Sequence, residues 1–376
     1  MSDAAMIVEA PRPAAAPRAS GNEQIYKHSN AFGFLRLFFA SLVIVSHTPE
    51  LADGNRNREL LTMAFGTISF GTLAVDGFFV ISGYLITASF LKNPDALTFL
   101  ARRVARIYPA FIVAFLIAIF VVAPLSGAKL HTITSLLQLN TVFMAFLRIP
   151  LIPGVFEGSH HTLLNGAMWT ISYEFQCYLL ILLLGIIGAL RFPWLIAILG
   201  AAMLALFVTI PSPQLINVGQ SIPFSQLVLQ DLDSVLRLNG IFLTGSLFYL
   251  WRDKIRYTWP RAMMAGGILI ICLFIPKLAE PSLAVAGGYV IFAVAFLSTT
   301  GPLSRINNTN DISYGVYLYS WPIEKLLLWY WPSIPLLACG LLVLAGAMLC
   351  GWLSWHLLEK RVMAWTNRSL RKRISA

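Results

Sequence analysis

Apolar residues gather in ten runs, near 31–48, 71–91, 108–124, 167–188, 193–210, 237–251, 261–276, 282–299, 312–331 and 334–356. Each is of the order that an α-helix needs to cross ~30 Å of hydrocarbon. The expected fold is all-α: a polytopic transmembrane bundle of about ten helices, with both termini on one side because the number is even. The stretch Leu130 to Leu147 is apolar too, but Thr, Ser, Gln and Asn interrupt it. A span there would invert every later loop, so it reads as a re-entrant or interfacial helix on the outer side.

Composition agrees with the pattern. With 57% apolar and 12% charged residues in 376, and a mean hydropathy of +0.73, a soluble enzyme is excluded. The net charge of +10 reads as topology, not as an affinity for nucleic acid. With cytoplasmic termini, nineteen Lys and Arg fall on the inner side, five on the outer side and three within spans, which accounts for all 27. That is the positive-inside asymmetry. The four cysteines, Cys177, Cys272, Cys339 and Cys350, lie in apolar runs without CxxC spacing and predict packing, with no metal site. Residues 1–29, rich in Ala and Pro, predict a disordered cytoplasmic tail; residues 359–376 predict a basic cytoplasmic tail; 30–358 form the integral membrane domain.

The first span carries the costliest residues. Arg36 and His47 are the ionisable side chains in Phe34–His47, and at ~100° per residue their offset returns to within roughly 20° of the same face, about 16 Å along the axis. Charged groups at such depth face a bundle interior or a wet cavity. The orientation places Arg36 near the cytoplasmic end and His47 near the outer end, with Asp76 and Glu174 at the outer ends of spans two and four. An imidazole with carboxylates at its level suits activation of a hydroxyl. On the cytoplasmic side Arg103 and Arg106, i and i+3 on one face ahead of Pro109, suit anionic lipid or a clamp for a phosphorylated cofactor. Pro109 suits the first turn of span three. Asp233 and Arg237, i and i+4, read as a local ion pair. Glu324 and Lys325 are buried charges without an assigned role, while His160 and His161 read as solvated loop residues. From the polar groups alone, a transporter or flippase of a lipid-linked sugar or small anion competes nearly equally with an enzyme.

Five blocks in order resolve that choice: Arg36 and His47 spaced by ten; Asp76-Gly77-Phe78-Phe79 to Ser82-Gly83-Tyr84; Arg103 and Arg106 before Ile107 and Pro109; Trp169 to Glu174; and Ile312 to Leu318 before Trp321-Pro322. Together they resemble the acyltransferase-3 family of membrane O-acyltransferases, without an appended SGNH domain. The resemblance covers Asn30 to about Arg361. It implies a multi-pass protein of the bacterial cytoplasmic (inner) membrane, among membrane lipids. It also implies acetyl-CoA or another acyl-CoA as donor substrate, no metal, and transfer to a hydroxyl of a glycan or lipid-linked glycan acceptor on the outer face. Carried over by position, it makes Arg36 and His47 essential and puts Arg103 and Arg106 on the donor side. Many members have a histidine where this chain has Ser320, so span nine is given no catalytic role. The expected mechanism has Arg103, Arg106 and Arg36 receiving the donor and His47 as general base, with Glu174 or Asp76 orienting the imidazole. An acyl-histidine intermediate is a second route.

Overall fold

Helix boundaries follow from local chemistry. Ser69 accepts the Thr72 amide at 3.0 Å and starts one helix, and Asp95 accepts the Thr98 amide at 2.8 Å and starts the next. Each satisfies an amide that has no partner within its helix. Gly54, at φ +76°, closes the first helix in the left-handed conformation that favours glycine. The computed structural model describes residues 30–221 and 225–375, and among these there is no strand. The expected N-terminal tail, 1–29, lies outside the described residues.

All ten predicted segments are helical: α1 (Phe32–Asp53), α2 (Phe70–Lys92), α3 (Ala96–Ile117), α4 (Ile171–Ile186), α5 (Pro193–Thr209), α6 (Leu232–Leu250), α7 (Trp259–Leu273), α8 (Gly288–Leu297), α9 (Ser313–Tyr330) and α10 (Leu336–Ser354). Six helices pass on length and apolarity, and a seventh is reached only if α5 and the following helix Ser212–Ser221, bent by 111°, count as one span. Helices α6 and α9 are diluted by Asp233, Arg237, Glu324 and Lys325, and α7 has 15 residues, which is why these three fall short. The protein is thus an all-α, multi-pass membrane protein.

Two boundaries differ from expectation. Pro109 lies inside α3, not in its first turn, because the Asp95 cap starts the helix at Ala96. Helix α10 runs on through a π turn (Trp355–Glu359) into α11 (Lys360–Ser375), which packs along α3. The stretch Leu130–Leu147 forms two short helices, and Tyr108, midway along α3, donates its hydroxyl to the Ala145 carbonyl at 2.9 Å.

The central crossing is α2 on α6. A Cβ on Gly83 would stand 1.9 Å from the Phe242 carbonyl oxygen, and one on Gly245 would stand 2.0 Å from that of Val80. Reciprocal glycines let the backbones touch, the usual device where no hydrophobic drive brings helices together in lipid. Thr87 and Ser246 close the contact with a hydroxyl pair at 2.9 Å. This crossing carries Asp76 to Arg237.

Candidate active site

The polar groups divide between two cavities. The first, about 280 Å³, is lined by Arg36, Arg103, Arg106, Glu174, Tyr178 and Tyr314, and it reaches exposed Asn367 on α11. The second, about 220 Å³, is lined by His47, Glu50, Arg56, Trp169 and Arg237. Val75 and Tyr317 line both. Arg36 and His47, on one face of α1, therefore open into different cavities.

In the basic cavity the arginines differ in what they have left to offer. Arg106 gives Nη2 to Asp311 at 2.6 Å and Nη1 to Glu359 at 2.8 Å. Arg36 shares the same Asp311 oxygen at 3.1 Å, and Ser313 and Asn307 also donate to Asp311 at 2.6 and 3.0 Å. Burial alone would raise the Asp311 carboxyl, but the Arg36 and Arg106 guanidiniums overcome it and hold the group down at about 2. Arg103 makes one hydrogen bond, 3.3 Å to the Ser89 hydroxyl, and lies over the rings of Phe99 and Tyr178. The buried Nε atoms of Arg36, Arg102 and Arg103 have no hydrogen-bond partner among the described residues. A cavity with unmatched guanidinium donors fits an anion such as a phosphate. At about 280 Å³ it lies just under the range of small-molecule pockets, ~300–1,000 Å³, and admits a slender group.

In the second cavity His47 Nδ1 lies 3.1 Å from Glu50 Oε2, and Glu50 also meets Arg56 at 2.7 Å. When Nδ1–H donates to the carboxylate, the lone pair sits on Nε2, the form a general base requires. The Trp321 ring stands edge-on to the imidazole, 4.9 Å between centroids, and its Nε1–H is fixed by the Leu163 carbonyl at 3.2 Å. His161, read from sequence as a solvated loop residue, closes the group from the loop: its Nε2 is 3.6 Å from Glu50 Oε1. Burial lowers the His161 pKa, against the pull of Glu50.

Neither expected carboxylate orients His47. Glu174 accepts from Tyr178 and, at 3.4 Å, from Ser82, inside the arginine cavity. The cause is local: the chain enters through a buried 3₁₀ turn, Gly166–Thr170, and α4, which carries Glu174, starts only after Thr170. Trp169 lines one cavity and Thr170 the other. Asp76 is fully buried and paired with Arg237, which also contacts Glu280. Arg237 thus reaches across helices and is not locally paired with Asp233, which accepts from Ser212 at 3.2 Å instead. Lys325 donates to Ser159 at 2.9 Å over the Phe156 ring, while both Glu324 oxygens lack a hydrogen-bond partner among the described residues.

Sequence reasoning missed Glu50, Asp311, Glu359 and Tyr317. Glu50 was within reach, since it follows His47 at i+3 on one helix. Asp311 and Glu359 meet Arg106 across more than two hundred residues of chain, and no spacing signals that.

The all-α membrane body has a basic cavity backed against a histidine–carboxylate cavity, and comparison with known families puts it among the multi-pass membrane acyltransferases. Residues 30–365 match the model of the acyltransferase-3 family, described as an acyltransferase domain, and the chain belongs to that family. Among its relatives, it is 25% identical to the "O-acetyl transferase" of Shigella phage Sf6 over 91% of this chain and 98% of that protein. It is 28% identical to "Nodulation protein 10" of Rhizobium leguminosarum bv. viciae over 94% and 98%. It is 28% identical to "Acyltransferase MdmB" of Streptomyces mycarofaciens over about half of each chain. No solved structure matches the chain.

Proposed function

We propose that the protein moves an acyl group, acetyl in the simplest case, from cytosolic acyl-CoA to a hydroxyl of a cell-surface glycan in the bacterial inner membrane. In this reading ten helices cross the bilayer and both termini face the cytoplasm. The observation that carries it is the pair of abutting cavities, one rich in unmatched guanidinium donors and the other holding a base with its carboxylate.

Arg103, with Arg102 beside it, meets the donor's phosphates, because Arg106 is already engaged by Asp311 and Glu359. Arg106 instead fixes the cavity wall, and Arg36, anchored on the same Asp311 and partly exposed to the cavity, lies along the arm of the donor. Trp169 gives the outer cavity an apolar face suited to a sugar ring. His47 Nε2 removes the acceptor hydroxyl proton as the oxygen attacks the thioester carbon, and Glu50 stabilises the imidazolium that forms. The C–S bond then breaks, and the proton passes from His47 to the departing thiolate.

The test is transfer of label from [¹⁴C]acetyl-CoA into membrane glycan, with His47→Ala as the control. Label in the glycan from wild type and none from the folded variant is the expected result. Equal label from both refutes the base assignment, and movement of a lipid-linked sugar without any transfer favours the transporter reading.

A further inference from the structure

The two cavities share a wall. On the face between them stand Val75 from α2 and Tyr317 from α9, each lining both spaces. The Tyr317 hydroxyl lies 2.7 Å from that of Thr170, the last residue of the 3₁₀ turn before α4. Phe78 backs the tyrosine ring edge-on at 6.1 Å between centroids. All three wall residues are less than 9% exposed. Any group passing from the arginine side to His47 has to cross here. The tyrosine–threonine contact is a latch that a rotation about the tyrosine side chain can release, whereas Val75 stands on the backbone of α2, the helix held by the glycine crossing with α6.

We infer that Tyr317, latched to Thr170 and facing Val75, is a partition that sets the size of acyl group allowed through to His47 and keeps water of the outer cavity away from the donor thioester. This rests on the acyl-CoA reading given above. An acetyl group is a carbonyl and one methyl. Every further methylene has to occupy space that the Tyr317 ring and the Val75 methyls now fill, so trimming either residue admits longer chains. Tyr317 is a specificity-determining and positioning residue here, with no part in bond making.

Two measurements test this. The first needs no catalysis: Thr72→Cys, in the His47 cavity, is placed in a background with the four native cysteines replaced. It is then exposed to anionic 2-sulfonatoethyl methanethiosulfonate from each face of sealed vesicles. With the partition intact, modification is expected from one face; with Val75→Ala and Tyr317→Ala together, from both. Modification from both faces with the partition intact, or from one face after both trims, overturns the proposal. The second is the ratio of kcat/KM for butanoyl- to acetyl-CoA. It is expected to rise about tenfold or more in Val75→Ala and in Tyr317→Leu, and to rise less in Tyr317→Phe, which keeps the ring but loses the bond to Thr170. An unchanged ratio in both trimmed variants, each recovered as folded protein, overturns the size-selecting role. A wild type that transfers from neither thioester refutes the donor reading alone, because the labelling decides the partition by itself.

Discussion

Replacing Asp311 with Asn changes one carboxylate oxygen pair and should disturb two arginines. In the native protein Arg36 and Arg106 share Oδ2 at 3.1 and 2.6 Å, with the Asp311 side chain 12% exposed and those of the arginines 30% and 20%. Asparagine keeps the shape and removes the charge. Arg106 retains Glu359, but Arg36 has no other ion pair among the described residues. Breaking a fully buried pair from one side costs about 3–5 kcal/mol. The partial exposure of Arg36 and the surviving Glu359 partner reduce this, so a loss of about 2 kcal/mol is expected. If half of that appears in donor binding through a wandering Arg36, the KM for acetyl-CoA rises about fivefold. The assay is thermal unfolding of the detergent-purified protein alongside steady-state transfer over a range of acetyl-CoA. A lower melting temperature with raised donor KM is the expected pair. An unchanged melting curve together with an unchanged KM would refute the view that Asp311 holds the basic cavity together.

The remaining predictions concern both cavities and the central crossing. His47→Ala should lower kcat about 10²–10⁴-fold while leaving the melting temperature within a degree or two of wild type; a protein that unfolds instead assigns His47 to structure. Glu50→Gln should reduce kcat less than His47→Ala does, with donor KM constant, since it acts through the imidazole; a change confined to donor KM would contradict that role. Gly83→Ala puts a methyl 1.9 Å from the Phe242 carbonyl oxygen and should destabilise by about 1–3 kcal/mol or more, read as reduced monodisperse yield; recovery at wild-type levels refutes the tight crossing. The stability gap between wild type and Asp311→Asn should be flat from about pH 5 to about 8. The Asp311 carboxyl, held at about 2 against an ordinary 3.8, contributes fully above 3.8 and loses that contribution only as pH falls toward 2. A gap that closes between pH 5 and 8 would assign the stabilisation to another group.

How much could be read from the chain depends on whether a residue's partner is near in sequence. The ten helical segments were legible because apolar length is a local property. The separation of Arg36 from His47 followed from helix geometry alone. The site itself was legible at the level of residue types, and it failed at the level of partners. Counting turns from the membrane surface puts Glu174 beside His47, but the change from one cavity to the other falls within the turn Gly166–Thr170, between Trp169 and Thr170, and Glu174 lies beyond it with Tyr178 and Ser82. Arg237 was matched with Asp233 by i, i+4 spacing, yet the glycine crossing of α2 and α6 brings Asp76 to it. In both cases a backbone detail redirected the side chain.

The long rod from Leu336 to Arg373 has a practical consequence. At 1.5 Å per residue its 38 residues extend about 57 Å, well past ~30 Å of hydrocarbon. Its distal part supplies Glu359 to Arg106, and Met363, Thr366 and Asn367 to the rim of the basic cavity. Anything fused to the carboxyl end, whether an affinity handle or a fluorescent reporter, continues from the helix that lines the rim of the basic cavity, where the proposed donor would enter. A truncation before Glu359 removes that rim, and the partner of Arg106, along with the tail.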